Sequence, residues 1–318
     1  MRIVTGVTAL ALVAVFATAC SGGASSPSAA SPSAAASVAA SPAASESAAA
    51  SEAPSQALAT CTPDSLATKT PGTLPIGADT PAYPPYYLES NPKTDPWELG
   101  DPTNRLGFEG RTAWAIARDL GFVGDTVQWV PVPFNNAIAP GPKDFDIYLS
   151  QVSYSDERAQ AVDLSDGYFD VSQTVVGAKD SDISKVTTIS GLKDFQFGAQ
   201  VGTTSLAAIT STIAPSKEAK VYDTNDLAVE ALKNGQIDGL VVDLPTAIYV
   251  TSVQFPEGVV VGRFPTPEGG EHFSVVLDKG STLTDCVNQA IGQLRDSGEL
   301  GQILTEEISA AAAPEFQP

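Results

Sequence analysis

The segment Ile237-Asp238-Gly239-Leu240-Val241-Val242-Asp243-Leu244-Pro245-Thr246-Ala247 reads as a buried strand, Gly239 to Val242, that carries a carboxylate at its C-terminal end. An apolar run of this length bounded by polar residues fits a strand covered on both faces. On its N-terminal side, a helical pattern from about Asp226 to Lys233 is stopped by Asn234-Gly235. The alternation continues outward in both directions. Leu74-Pro75-Ile76-Gly77 is a strand. Ala113, Ile116, Ala117 and Leu120 share one helix face over Gly110 to Leu120, with Gly121 placed for a left-handed cap. Val127 and Trp129 alternate on a further strand, Thr174-Val175-Val176 forms another, and a helix opens after Gly202. Leu283, Val287, Ala290, Ile291 and Leu294 line a last helix, with Thr282 as its expected N-cap. Strands that alternate with helices imply an α/β fold with largely parallel sheets.

The chain has 318 residues, 43% of them hydrophobic, and a net charge of −20 from 17 Lys+Arg against 37 Asp+Glu. So acidic a surface repels phosphate backbones and anionic lipid, which excludes nucleic-acid binding through a basic footprint. One His and three Cys are too few for a zinc site. Met1-Arg2 precedes an uncharged run from Ile3 to Ala19 that ends in Ala17-Thr18-Ala19, as processed signal segments do. Cys20 follows directly, and from Ser21 to Thr60, 32 of 40 residues are Ser, Ala or Pro, a composition that builds no core. Cys61 and Cys286 are then the remaining pair, and in a chain sent to an oxidising compartment they are expected to form a disulfide.

No Walker A loop, Rossmann glycine fingerprint, metalloprotease helix or nucleophile elbow is present. His272, beside Gly269-Gly270, reads as a structural or surface histidine rather than a catalytic base. The chemistry resides in polar residues at strand ends and helix starts. Asp79-Thr80-Pro81-Ala82-Tyr83-Pro84-Pro85-Tyr86 follows the first strand and Ser150-Gln151-Val152-Ser153-Tyr154-Ser155-Asp156-Glu157-Arg158 a second. Gln200-Val201-Gly202-Thr203-Thr204-Ser205 and the Asp243 segment complete the set, with Gly107-Phe108-Glu109 and Ala161 to Asp166 between them.

In this order, these segments resemble the polar amino acid branch of the extracytoplasmic solute-binding proteins that serve ABC importers, over about Leu74 to Leu304. Cys20 behind its apolar run resembles the lipidated cysteine of a bacterial lipoprotein. The resemblance implies a two-lobed periplasmic-binding fold of type 2, with crossovers near Phe169-Asp170 and Glu271 to Ser274. Its organisation would be a signal peptide (1–19), a lipidated Cys and disordered linker (20–60), a first lobe (61–170 and 272–318) and a second lobe (171–271). It further implies that Arg158 takes an α-carboxylate and Asp243 an α-amino group. Gln151, Val152, Ser153, Thr203 and Thr204 would complete the cradle, while Tyr83 stacks on the ligand side chain and Phe134 adds an apolar wall. Two departures concern the side-chain end: Gln151 stands where a small residue is usual, and the Asp79 to Tyr83 spacing is one residue longer.

The residues support this chemistry independently of the resemblance. Burying a zwitterion costs several kcal/mol per ion unless each charge is paired. Arg158 offers a bidentate fork, and Asp243 lies beyond the carboxyl end of its strand, where ligands of open α/β sheets bind. Asp243 would equally cap the turn before Pro245, and Asp79 would equally buttress its loop or favour a polar or cationic side chain. Arg105 and Arg111 would instead admit an acidic one. The expected protein is thus a monomeric, lipid-anchored binding protein on the extracytoplasmic face, without cofactor or metal, delivering a polar amino acid to a membrane permease by hinge closure. A cyclohexadienyl-dehydratase-like lyase on the same scaffold and an extracytoplasmic sensor are the alternatives.

Overall fold

The computed structural model describes residues 60–266, 270–308 and 313–318. The expected signal peptide, Cys20 and the Ser/Ala/Pro segment as far as residue 59 lie outside the described residues. In chain order come β1 (Leu74–Ala78), α1 (Phe108–Asp119), β2 (Val127–Pro131), α2 (Phe134–Ile138), β3 (Ile147–Tyr148), α3 (Asp156–Ala161) and β4 (Asp163–Val171). There follow β5 (Gln173–Ala178), β6 (Phe197–Gln200), α4 (Thr204–Ala208), β7 (Lys220–Tyr222), α5 (Asn225–Lys233), β8 (Gly239–Asp243), α6 (Leu244–Tyr249) and β9 (Gly258–Arg263). Last are β10 (Glu271–Leu277), α7 (Thr284–Asp296) and α8 (Glu299–Glu307).

The strands form two five-stranded sheets, ordered β2-β1-β3-β10-β4 and β7-β6-β8-β5-β9. Each is mixed, not largely parallel. The β1 and β6 pairings are parallel, whereas β10 and β5 pair antiparallel with both neighbours. The reason is connectivity: β5 and β10 are the strands by which the chain enters a sheet from the other one, and each runs opposite to the other four strands of its sheet.

β8 is buried at all five positions because both faces of its sheet are covered. Val241 packs with Val175 and Phe197 on one side, and Leu240 and Val242 with Val176, Val229 and Leu232 on the other. The first sheet is built alike: Leu74, Ile76, Phe108, Ile116 and Leu294 share one cluster, while Phe134, Phe145, Tyr148 and Val276 form another. Local signals set the helix starts. The Thr224 side chain accepts from Leu227 N and so opens α5, while Gly121, at φ +84°, follows α1. The expected cap at Thr282 does not form: α7 begins at Thr284, with Leu283 at the N-cap position and no side-chain cap bond. Instead, Leu283 N donates to Ser281 Oγ at 3.2 Å.

Between β4 and β5 the chain passes from one sheet to the other at Ser172, and it is back in the first sheet from Glu271 of β10, after β9 has ended at Arg263. Phe169, Asp170 and Glu271 to Ser274 are therefore paired strand residues of the first sheet. Residues 313–318 do not stay with the first sheet: Glu315 bridges to Arg263 and Gln317 to Thr188, and Phe316 belongs to a core cluster of the second sheet. Cys61 and Cys286 form a disulfide with Cα atoms 5.7 Å apart, which pins Cys61 to α7. No helix among the described residues is long and apolar enough to cross a membrane.

Candidate functional site

Ser155 caps α3 by accepting from Arg158 N at 3.2 Å, which sets Arg158 in the first helical turn with its side chain turned inward, 8% exposed. Its Nη1 donates to Ser153 O, and its Nη2 crosses to the other lobe to donate to Gly202 O at 2.7 Å. The guanidinium carbon lies 5.5 Å from the centroid of the Phe134 ring. Burial pulls the Arg158 pKa below its ordinary value, against the opposing pull of Glu271 and Glu157. Among the described residues it forms no ion pair within 4.0 Å.

Asp243, at the carboxyl end of β8, performs the capping that its sequence context suggested and also faces the cavity. It accepts from Thr246 N at 2.9 Å and Thr246 Oγ1 at 2.8 Å. From the first lobe the buried Tyr86 hydroxyl donates to Asp243 Oδ1. Burial raises the Asp243 pKa, while the Tyr86 and Thr246 hydrogen bonds hold it down.

Arg158 and Asp243 line one cavity between the two sheets, with about 50 Å³ of free space. Asp79, Tyr83, Phe134, Gln151, Ser153, Thr203 and Thr204 line it as well. Val152 does not. It is fully buried in the cluster of Phe134, Phe145 and Tyr148, while its neighbours Gln151 and Ser153 line the cavity. Thr203 caps α4, donating to Gln200 O at 2.7 Å and accepting from Leu206 N. Thr204 Oγ1 lies 3.2 Å from Ser153 Oγ across the lobes.

The side-chain end of the cavity is built around Asp79, Tyr83 and Gln151. Asp79 Oδ1 accepts from Thr80 N at 2.8 Å and Phe134 N at 3.0 Å, so it buttresses the loop while lining the cavity. Burial pushes its pKa up to about 6. Tyr83 presents its ring to the cavity but donates its hydroxyl to Gln254, and it meets Tyr249 edge-on at 5.4 Å. The Gln151 amide is occupied by Glu109, which also accepts from Gln151 N at 2.7 Å, and Gln151 adopts φ +52°. Neither Arg105 nor Arg111 reaches the cavity: Arg105 covers the Trp114 ring at 3.9 Å and Arg111 pairs with Glu306 and Glu307. His272 stacks on Tyr154 at 5.6 Å, outside the cavity lining.

Sequence reasoning assigned no role to Tyr86, Glu109 or Gln173. Glu109 is fully buried, accepts from the Tyr168 hydroxyl as well as from Gln151, and is pushed up to about 7 by burial. Gln173 Nε2 donates to Thr204 Oγ1 at 3.2 Å and to Glu271 at 3.0 Å, and its Oε1 accepts from Ser205 Oγ at 2.6 Å. It thereby joins the first residue of β10 to the start of α4. Tyr86 and Glu109 stand within the motifs that follow β1 and open α1, whereas Gln173 stands in none. No group of three or more His, Cys, Asp or Glu side chains that could hold a metal ion occurs among the described residues.

The arrangement therefore brings a guanidinium from one lobe and a carboxylate from the other to one enclosed space. The arginine-binding extracellular protein ArtP of Bacillus subtilis is 28% identical over 212 residues, 65% of this chain and 80% of that protein. An ancestral arginine-binding protein solved with glutamine bound is similar at a TM-score of 0.62 and 26% identity, covering 74% of this chain and 98% of the other. An ancestral amino acid-binding protein described as a precursor of cyclohexadienyl dehydratase aligns at a TM-score of 0.60 and 26% identity, over 75% and 96% of the two chains. Residues 88–308 match the family model of the bacterial extracellular solute-binding proteins, family 3, and the chain belongs to that family.

Proposed function

We propose that this protein captures a free polar L-amino acid between its lobes and hands it to the membrane permease of an ABC importer. In this reading the α-carboxylate meets Arg158, with the Ser153, Thr203 and Thr204 hydroxyl and backbone groups around it. The α-ammonium meets Asp243, and the side chain lies against Tyr83 and Phe134 toward Asp79. Cys20 would carry a lipid anchor that holds the protein at the extracytoplasmic face of the membrane, and the protein would work as a monomer without catalysing a reaction. One observation carries the reading: Arg158 and Asp243, from opposite lobes, line the same cavity. Each charge is costly to bury alone, and one zwitterion offsets both. The names of the relatives agree in class, since they are described as binding arginine or other amino acids.

The free space of about 50 Å³ is smaller than the roughly 150 Å³ that admits benzene to an apolar cavity. An amino acid therefore enters as the lobes part and is enclosed as they return, with contacts from both lobes favouring the closed state. The test is a thermal-shift panel of the twenty amino acids. A ligand at 100 times its Kd stabilises the folded state by about 2.7 kcal/mol, and Arg158→Ala should remove that response. A shift of normal size in Arg158→Ala would take Arg158 out of the site. Absence of any response, together with turnover of prephenate or arogenate, would make the protein a lyase on this scaffold.

A further inference from the structure

The family match ends at Ile308, where Leu304 and Ile308 pack against the core of the first sheet. A few residues later the chain lies on the second sheet. Arg263 N donates to Pro314 O at 2.8 Å, Phe316 N to Arg263 O at 3.0 Å, Ile189 N to Gln317 O at 2.9 Å and Gln317 N to Thr187 O at 2.9 Å. Arg263 also pairs with Glu315 at 2.6 Å. Phe316 is 1% exposed, with its ring centroid 5.5 Å from that of Phe264. Gly262 provides its seat, because a Cβ there would lie 2.8 Å from the Phe316 ring.

We propose that residues 313–318 form a third interlobe strap that limits how far the lobes open, in addition to the passages at Ser172 and between β9 and β10. The strap is docked by backbone pairing, an ion pair and a buried aromatic, so it is a fixed attachment and not a loose end. It seats on Arg263 and beside Phe264, at the root of the second passage. From Ile308 to Ala313 the chain has five Cα steps, which reach at most about 17–18 Å when extended. Any opening that would carry the Arg263 edge farther from α8 than this must first undock Phe316. The strap thus restricts the open ensemble and keeps the closed form within reach. The inference rests on the hinge-closure reading proposed above.

Two variants separate a strap from a merely structural tail. Insertion of eight Gly/Ser residues after Ser309 lengthens the connection and leaves every docking contact in place, whereas Phe316→Ala removes the dock. Small-angle X-ray scattering of the ligand-free protein is the primary measurement, followed by titration with L-arginine. Both variants should show a larger ligand-free radius of gyration. Where L-arginine binds, its apparent Kd should rise by the factor by which the closing-competent population falls. A radius of gyration unchanged by the insertion overturns the strap, even if Phe316→Ala lowers the melting temperature. Failure of the parent protein to bind any amino acid would instead strike the proposed function, and the scattering comparison would still decide the strap.

Discussion

Tyr86→Phe isolates one atom of the closed site. The Tyr86 ring is fully buried and meets Phe273 edge-on at 6.0 Å, so the phenylalanine keeps the packing and loses only the hydroxyl that donates to Asp243 Oδ1. That bond joins the two lobes and supports the carboxylate assigned to the ligand ammonium. A hydrogen bond to a charged group contributes about 1.5–3 kcal/mol, so the Kd for the amino acid should rise roughly 10- to 150-fold. The pH profile should move as well. Asp243 binds an ammonium only when ionised, so affinity falls as pH falls through its folded-state pKa. Burial already raises that pKa and the Tyr86 bond lowers it. In Tyr86→Phe the loss of affinity on acidification therefore begins at a higher pH. Calorimetric titration from neutral pH downward reads both effects. A Kd within twofold of the parent value and an unshifted profile would refute the assignment, and tighter binding would mean that Tyr86 competes with the ligand for Asp243.

Three further outcomes follow from the same structure. Replacing Cys61 and Cys286 by Ser removes a link spanning 225 residues; the chain-entropy model gives about 5 kcal/mol, and the melting temperature should fall by about 10–20 °C in calorimetry. Glu109, pushed up to about 7, binds its proton more tightly folded than unfolded, so its contribution makes stability decrease as pH rises from about 4.5 to about 7. Chemical denaturation of Glu109→Gln across that window should lack this part of the slope, and a slope identical to the parent's would deny Glu109 the raised pKa. In Gly239→Ala the new Cβ would lie 2.6 Å from the Phe197 ring; overpacking of this kind costs about 1–3 kcal/mol, to be measured as a lower denaturation midpoint.

The elements legible in the sequence were those written in local code. The β8 strand and Asp243 were readable because an apolar run followed by Asp-Leu-Pro-Thr specifies both a buried strand and a cap, and the structure has both. The start of α5 and the cap at Gly121 were likewise local. Strand direction was not, since β5 and β10 acquire antiparallel neighbours only through the passages between sheets. That Val152 lies outside the cavity lining while Gln151 and Ser153 are in it depends on local backbone such as the φ of +52° at Gln151, which no sequence pattern announces. Glu109 and Gln173 escaped because their roles arise from partners distant in sequence, Gln151 and Tyr168 for one, Thr204 and Glu271 for the other. The return of Phe316 to the second sheet is a tertiary fact of the same kind.

In the proposed function, one zwitterion bridges Arg158 and Asp243. The most direct measurement is a calorimetric comparison of the amino acid giving the largest thermal shift with its methyl ester and its N-acetyl derivative. Each derivative removes one of the two charges and leaves the side chain intact. Both should bind at least 30-fold more weakly, since truncating one partner of a buried charge pair costs about 2–5 kcal/mol. Binding of either derivative with the affinity of the free amino acid would contradict the account.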